Sequence, residues 1–387
     1  MPRIHQHLVL PTKEYGPRAG TPVALRGVVN VVSALDAPLQ APISFPSTRL
    51  VPTTDSTARP SSPRIVAIGG GTGLPAVLEG LCAHARESSG ADGPDTVTAV
   101  VTVTDDGGSS GHLRRQFGVP PPGDIRNCLA ALASPDSPLK TLLQHQFDTV
   151  EGMQGHPLGN LLLTALTQIT GDFAEAVNRL GDIVGLRGRV LPTTGENVVL
   201  RAEMESGQVL TGQTNIVQPG ARIRRLRLQP SPRPLPEVLR ALVNADGIVV
   251  GPGSLYTSIL TNLLVEGIAS TIYGVNATRI YIANLMTEPG ETDHYTLDDH
   301  LGAIRLHAGF DLFDYILVNR RPIDTTAAAR YAAQGSEPVK AVTPLRWAGK
   351  AQVVECDLAI EYGARKIRHQ PASVARAVRA LVRAGRP

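Results

Sequence analysis

Three glycine-rich loops carry the residues of this chain that are best suited to bind a ligand. The first loop, with the sequence GGGTG, directly follows the strand-like run Ile65–Ile68 and precedes a helical segment. Glycines let the backbone turn tightly there, and the free N–H groups at the start of the helix can face a phosphate. The loop is neither a Walker A motif nor a full dinucleotide fingerprint, and a tight turn without a ligand is the alternative. The candidate ligand contacts in it are Gly70, Gly71, Thr72 and Gly73.

The second loop, TDDGGSSG, follows the strand-like run Val97–Thr104 and places two acidic residues side by side. Adjacent carboxylates at the end of a strand can bind a pair of ribose hydroxyls, or a divalent metal that bridges phosphates. An Asx turn that caps the next helix is the structural alternative. The candidate ligand contacts in this loop are Asp105, Asp106, Gly107 and Ser109.

The third loop, VGPGSLYTS, follows the short apolar run Gly247–Val250. Its serine is placed to cap the next helix, which would leave backbone donors facing the same crevice as the other loops. The candidate ligand contacts here are Gly251, Gly253, Ser254 and, two turns along the helix, Asn262. All three loops follow strands, and α/β sheets bind ligands at the carboxyl ends of their strands. Their joint occurrence therefore indicates a nucleotide or another phosphorylated ligand.

The elements that must position these loops alternate between short buried strands and amphipathic helices from Arg64 onward. This order predicts an α/β fold, a Rossmann-like, doubly wound and mainly parallel sheet with right-handed crossovers. Three runs alternate well enough to predict a small antiparallel β insertion: Val190–Thr193, Val198–Met204 and Arg222–Leu228.

Charge and composition exclude several other classes of protein. Of the 37 basic and 34 acidic residues, six and three lie in residues 1–63, so the rest of the chain carries 31 of each. This neutrality argues against binding to nucleic acid. No apolar run approaches the roughly 18 residues of a membrane-spanning helix. The three cysteines are far apart and predict neither a disulfide framework nor a zinc site, which favours a cytoplasmic location.

Residues 1–63 differ in composition from the remainder of the chain. They hold ten of the 31 prolines and twelve serines or threonines, with no long apolar periodicity. Ordering such a segment costs more backbone entropy than its few apolar groups can return. We therefore expect residues 1–63 to form a disordered extension and residues 64–387 to form a single α/β domain.

Several long blocks of the sequence resemble the bacterial gluconeogenesis factor family, the UPF0052 group of the CofD (2-phospho-L-lactate transferase) superfamily. These blocks are IVAIGGGTGLPAVLEGL, VVTVTDDGGSSGHLRRQFGVPPPGDIRNCLAALA, GHPLGNLLLTAL, GIVVGPGSLYTSILTNLLV and YIANLMTEPGETDHYTLDDH. The resemblance implies a CofD-like fold with a deep crevice that binds UDP-N-acetylglucosamine. It also implies a regulator of cell shape and peptidoglycan precursor supply during gluconeogenic growth, without demonstrated catalysis and without a required cofactor. The residues that it places at the ligand are Thr72, Asp105, Asn262, Tyr331 and Arg368.

The transferase branch of the same superfamily supplies the competing function. The resemblance to it implies transfer of a phospholactyl group from a guanylylated donor to a deazaflavin, with Mg²⁺ held by Asp105 and Asp106. The longer blocks match the gluconeogenesis branch more fully, and an aromatic content of 4% leaves few residues to stack on a deazaflavin. The expected partners are thus the nucleotide sugar and a regulatory protein of cell-wall synthesis, with a homo-oligomer left open. The sequence identifies neither that protein nor a phosphorylation site.

Overall fold

The computed structural model describes residues 62–87, 96–147, 155–217, 222–342, 344–362 and 366–385. Nearly all of the extension predicted at residues 1–63 therefore lies outside the described residues. The strands in chain order are β1 Arg64–Gly69, β2 Thr96–Val101, β3 Arg189–Pro192, β4 Val199–Met204, β5 Val209–Thr211, β6 Ile223–Gln229, β7 Gly247–Val250, β8 Thr278–Ile282, β9 Tyr315–Asn319, β10 Gln352–Cys356, β11 Ala359–Tyr362 and β12 Lys366–His369.

The helices surround these strands, and a π-helical turn at Leu255–Ile259 precedes one of them. They are α1 Gly73–Glu87, α2 Gly108–Phe117, α3 Gly123–Leu132, α4 Pro138–Gln144, α5 Leu158–Thr170, α6 Phe173–Val184, α7 Gln213–Ile216, α8 Pro236–Val243, α9 Leu260–Leu263, α10 Ile268–Gly274, α11 Leu297–Ala308, α12 Thr325–Ala332 and α13 Pro371–Ala384.

Seven strands form one sheet in the order β10-β9-β8-β7-β1-β2-β3, and every neighbouring pair is parallel. The order runs outward from β1 in both directions, with β2 and β3 on one side and β7 to β10 on the other. The point between β1 and β7 is thus a topological switch point, where sheets of this kind form a ligand crevice. The first and third loops follow these two strands. The predicted fold class, a doubly wound parallel sheet with a small antiparallel part, is confirmed.

The core lies on both faces of this sheet, as the near-continuous apolar character of its strands predicts. Successive side chains of β1 point to opposite faces, so Val66 and Ile68 pack in one buried cluster and Ile65 and Ala67 in the other. The first cluster includes the inner residues of β4 and β6, and the second includes the apolar stripes of α1, α3 and α13.

One strand of the predicted antiparallel insertion belongs elsewhere. The insertion is formed by β4, β5 and β6, whereas β3 pairs in parallel with β2 at the edge of the main sheet. The assignment of Val190–Thr193 to the insertion was therefore wrong. Val190, Leu191 and Pro192 are all buried, which is the pattern of a strand covered on both faces rather than of an alternating one.

Across the described ranges, no single helix is long and apolar enough to cross a membrane. One bent pair of helical segments, Leu255–Leu263 and Ile268–Gly274, would suffice by length and composition alone.

Candidate functional site

A cavity of about 360 Å³ lies at the carboxyl ends of β1, β7 and β8. Its walls come from the start of α1, the third loop, the segment after β8, the end of α12 and strand β12. Six of the residues predicted from sequence line it together: Thr72, Gly73, Gly253, Ser254, Tyr331 and Arg368. The structure thus brings residues nearly 300 positions apart onto the walls of one ligand-sized space.

The first loop turns the chain from β1 into α1 and closes against the third loop. Gly71 has a φ of +60°, a conformation that side chains other than glycine rarely adopt. A Cβ atom on Gly73 would lie 2.5 Å from the Pro252 carbonyl oxygen, so only glycine fits where the two loops meet. Gly73 and Ala76 belong to the first turn of α1, Thr72 directly precedes it, and all three line the cavity. The positive end of the α1 dipole and its free N–H groups therefore face the cavity, which favours an anionic ligand.

Gly70 lies below this turn, away from the cavity wall. It is buried, and a Cβ atom there would come within 2.7 Å of both the Asp124 carboxylate and the Thr102 methyl group. Its role in the described structure is to let the first loop lie close to the end of β2 and the start of α3.

The third loop is held by two polar side chains from the segment after β8. The Asn284 side chain donates to the Gly253 carbonyl oxygen at 2.9 Å and accepts from the Gly253 N–H at 3.3 Å. Glu291 accepts hydrogen bonds from the N–H groups of Tyr256 and Thr257 and from the Thr257 hydroxyl. These helix-start donors were expected to face the crevice, but the chain's own carboxylate occupies them. Of the first and third loops, only the first presents an open helix N-terminus to the cavity.

Ser254 also differs from its expected role as a helix cap. Its side chain makes no capping hydrogen bond. The Ser254 hydroxyl instead hydrogen bonds with Glu288, and both residues line the cavity. Gly251 ends the strand side of the same loop and is buried beside Pro252, which forms part of the wall.

Glu288 and Glu291 form a carboxyl pair at this side of the cavity. Burial raises the pKa of Glu288, and the hydrogen bond from Ser254 acts in the opposite direction. Burial also raises the pKa of Glu291, the charge of Glu288 raises it further, and its three hydrogen bonds lower it in part. Two neighbouring carboxylates in a low-dielectric site share protons because both charges together are costly.

We expect this pair to make the protein less stable as the pH rises. A carboxyl whose pKa is higher in the folded than in the unfolded state binds more protons when folded. Its contribution to the free energy of unfolding is therefore present near pH 4.5 and is lost as the pH rises toward the raised pKa. The slope that one such group adds is at most about 1.4 kcal/mol per pH unit.

Urea unfolding of the wild type and of Glu291→Gln between pH 5 and pH 8 tests this expectation. Glutamine can still accept from the Tyr256 N–H, and the variant keeps every other titrating group, so the difference between the two proteins reports Glu291 and its interaction with Glu288. The variant should have a flatter profile than the wild type. Equal slopes in the two proteins would contradict the raised pKa.

None of the residues of the second loop lines the cavity, and the two acidic residues of this loop have different hydrogen-bond partners. Asp105 accepts a hydrogen bond from the Gly107 N–H at 3.0 Å, closing an Asx-type turn. Asp106 accepts from both the N–H and the hydroxyl of Thr214, at 2.9 and 2.6 Å, which ties it to α7. The two carboxylates are therefore not paired over a common metal position as the transferase alternative expected.

Asp124, at the start of α3, is a further acidic residue whose pKa the charge of Asp105 affects. Burial raises the pKa of Asp124 to about 6, the Gly71 N–H lowers it, and the charge of Asp105 raises it again. Sequence analysis explains Asp124 as a helix-capping residue, and its position opposite the first loop follows only from the fold. No group of three or more His, Cys, Asp or Glu side chains that could hold a metal ion occurs within the described part of the chain.

Ser109 is fixed by two residues that lie about 50 positions along the chain. Its hydroxyl lies 2.8 Å from His156 Nδ1 and accepts from the Asn160 side-chain amide at 3.0 Å. Burial, together with nearby His112, lowers the pKa of His156. Ser109 therefore holds α2 against the start of α5, and it is not among the cavity-lining residues.

Asn262 is fully buried beneath the loops rather than exposed in the crevice. Its amide group donates to the carbonyl oxygens of Gly69 and Ser258, at 2.9 and 2.7 Å, and its oxygen is bonded to the Thr193 hydroxyl. The expectation that Asn262 lines the crevice is thus not met. Its contacts hold the end of β1 to the helix that follows the third loop.

Tyr331 and Arg368, from the C-terminal part of the chain, line the same cavity as the start of α1. The Tyr331 hydroxyl accepts a hydrogen bond from the Ile367 N–H at 3.1 Å, which fixes the ring against β12. Arg368 is exposed and lines the cavity. Their neighbour His369 also lines it and was not predicted, since a histidine in the sequence KIRH gives no signal of its burial.

The parallel sheet and the glycine-lined cavity at its switch point define a doubly wound α/β protein. Residues 65–358 match the model of the family described as 2-phospho-L-lactate transferase CofD. The gluconeogenesis factor of Halalkalibacterium halodurans is 48% identical over 276 residues, covering 71% of this chain and 83% of that protein. The gluconeogenesis factor of Bacillus subtilis is 47% identical over 278 residues, covering 72% and 85%.

A solved structure gives the same result for the fold. The crystal structure of a UPF0052 family member from Bacillus halodurans has a TM-score of 0.76 at 43% sequence identity, covering 82% of this chain and 98% of that one. The chain belongs to the CofD family and, within it, to the gluconeogenesis factors. The family predicted from the sequence blocks is confirmed.

Proposed function

We propose that the protein binds UDP-N-acetylglucosamine in this cavity and acts as a cytoplasmic regulator rather than as an enzyme. The bound state would control cell shape and peptidoglycan precursor supply during growth on gluconeogenic carbon sources, through a protein partner in cell-wall synthesis. The curated name of its relatives supports the metabolic part of this proposal. One observation supports this choice of ligand. The α1 N-terminus, Arg368 and Tyr331 all line the same cavity.

Each wall suits a different part of a nucleotide sugar. The start of α1 and a guanidinium group are the two features that proteins most often use for a diphosphate. An aromatic ring with a fixed hydroxyl offers a face for the uracil base or for a sugar ring. Glu288, Ser254 and Asn284 add polar groups that can meet sugar hydroxyls.

A phospholactyl transferase is the second candidate, and the description of the matching family is consistent with it. The charge of Asp105 raises the pKa of Asp124, and two acidic groups that influence each other would suit the Mg²⁺ that the transfer of a phosphate group uses. Asp106, the second carboxylate that this alternative needs for Mg²⁺, instead accepts two hydrogen bonds from Thr214, which argues against the transferase.

Isothermal titration separates the two candidates. We expect heat of binding with UDP-N-acetylglucosamine and none with GDP or a deazaflavin in the presence of Mg²⁺. Binding of the deazaflavin and GDP, without binding of any UDP-sugar, would favour the transferase and overturn the sensor.

Replacing Arg368 by alanine should weaken the affinity for UDP-N-acetylglucosamine roughly tenfold or more, because a charge-assisted contact to the diphosphate is lost. The melting temperature should not change, since the Arg368 side chain is exposed and makes no hydrogen bond or ion pair to the residues described. Arg376→Ala is the matched control, because Arg376 is exposed on α13 outside the cavity. A fall in melting temperature of the Arg368 variant alone would make Arg368 a structural residue.

A further inference from the structure

His369 is a nearly buried cavity residue whose side chain has one ring nitrogen to which none of the described residues hydrogen bonds. It ends β12, and its ring is only 8% exposed, yet it lines the cavity next to Arg368. Its Nε2 atom lies 3.1 Å from the carbonyl oxygen of Ala283, at the end of β8. This bond fixes the ring between two of the elements that build the cavity.

The bond to Ala283 determines which ring nitrogen carries the proton. A carbonyl oxygen can only accept, so Nε2 must be the donor. Burial lowers the pKa of His369 to about 4, so the ring is neutral near pH 7 and the second nitrogen, Nδ1, has a bare lone pair. None of the described residues donates a hydrogen bond to Nδ1. A nearly buried acceptor that faces a cavity without a partner is costly unless a ligand or water supplies the donor.

We propose that His369 determines specificity in this cavity, with its Nδ1 atom accepting a hydrogen bond from an N–H or O–H group of the bound nucleotide sugar. The proposal rests on the nucleotide-sugar function and names a recognition element within it. Because the Nε2 proton is locked on Ala283, the ring cannot turn its donor toward the ligand. The site therefore rejects a ligand that presents a lone pair at this point. The donor has two chemical sources, the imide N–H of the uracil base and the N–H or O–H groups of the sugar.

Two substitutions separate the acceptor from the structural bond. In His369→Gln, the side-chain amide reaches the position of Nε2 and can still donate to Ala283, while the Nδ1 acceptor is lost. In His369→Asn, the amide oxygen takes the position of Nδ1, while the bond to Ala283 is lost. His145→Gln is the surface control, because His145 is exposed on the end of α4.

Calorimetric titration of all four proteins with UDP-N-acetylglucosamine, UDP and 3-methyl-UDP tests the proposal. We expect His369→Gln to keep the melting temperature of the wild type and to bind UDP-N-acetylglucosamine about tenfold more weakly. His369→Asn should bind it more tightly than His369→Gln does, even if it melts earlier. If the donor is the uracil imide, His369→Gln binds UDP more weakly than the wild type does, by the same factor. Both proteins then bind 3-methyl-UDP, which lacks the imide N–H, with the same affinity. If the donor belongs to the sugar, UDP binds both proteins equally.

Either of two results would overturn the proposal. In the first, the wild type binds UDP-N-acetylglucosamine and His369→Gln binds each of the three ligands as tightly as the wild type does. His369 then has a structural role only. In the second, His369→Asn, which loses the bond to Ala283, binds UDP-N-acetylglucosamine more weakly than His369→Gln, which keeps it. The structural bond and not the Nδ1 acceptor would then determine affinity. Failure of the wild type to bind any UDP-sugar would instead remove the proposed function, and this proposal with it.

Discussion

Replacing Gly73 by alanine is expected to separate the first and third loops and to lower both the stability and the ligand affinity of the protein. The new Cβ atom would lie 2.5 Å from the Pro252 carbonyl oxygen, 2.8 Å from its carbonyl carbon and 3.2 Å from the Gly253 nitrogen. All three are backbone atoms, so no flexible side chain can move aside. Overpacking of this kind costs about 1–3 kcal/mol of unfolding free energy. Because both loops line the cavity, we also expect the affinity for UDP-N-acetylglucosamine to fall at least about tenfold.

Gly274→Ala is the matched control for this substitution. Gly274 is also a helical glycine without a positive φ, and a Cβ atom there would meet no other atom within 4 Å. Alanine at that position should leave affinity unchanged and raise stability slightly, by up to about 1 kcal/mol. Urea unfolding and calorimetric titration of both variants provide the measurement. A Gly73 variant that behaved like the Gly274 variant would show that the two loops move independently.

The parts of the fold that sequence predicted are those in which local pattern and burial agree. The continuous apolar runs of β1 and β7 and the periodic helices α5 and α6 follow directly from their spacing. Strand β3 was assigned to the wrong sheet, because four residues are too few to distinguish alternation from burial on both faces. Strands β10 and β12 were not predicted at all. Each has few buried apolar residues, and each is held by its pairing with a neighbouring strand, β9 for β10 and β11 for β12.

The same distinction explains the candidate site. Glycine loops have a local signature, and Thr72, Gly73, Gly253 and Ser254 do meet at one cavity. The partners of polar side chains have no such signature, because they come from distant positions. Glu291 fills the helix start after the third loop from 35 residues away, a role that its place in a polar turn does not indicate. Thr214 takes up Asp106 from 108 residues away.

Replacing Asn262 by alanine is expected to lower the free energy of unfolding strongly and to lower ligand affinity only indirectly. Its side chain is fully buried and joins the end of β1, the helix after the third loop and Thr193. Alanine removes three hydrogen bonds and leaves a small cavity, which together cost about 3 kcal/mol of unfolding free energy. The two carbonyl oxygens that lose the Asn262 amide each keep another donor. The Thr102 N–H still donates to the Gly69 oxygen and the Thr261 hydroxyl to the Ser258 oxygen, so the protein should still fold.

The measurement separates a scaffold residue from a ligand contact. Asn244→Ala is the control, because Asn244 is exposed and its side chain bonds only the Arg240 carbonyl oxygen at the end of α8. That variant should lose less than about 1 kcal/mol, since it removes one exposed hydrogen bond. In Asn262→Ala, urea unfolding should show the large loss, and the affinity for UDP-N-acetylglucosamine should fall only because Gly69 and the loop after it are less firmly held. Unchanged stability with a large loss of affinity would instead mean that the Asn262 amide turns out of the core to contact the ligand, and the buried arrangement of β1 and the third-loop helix would then be wrong.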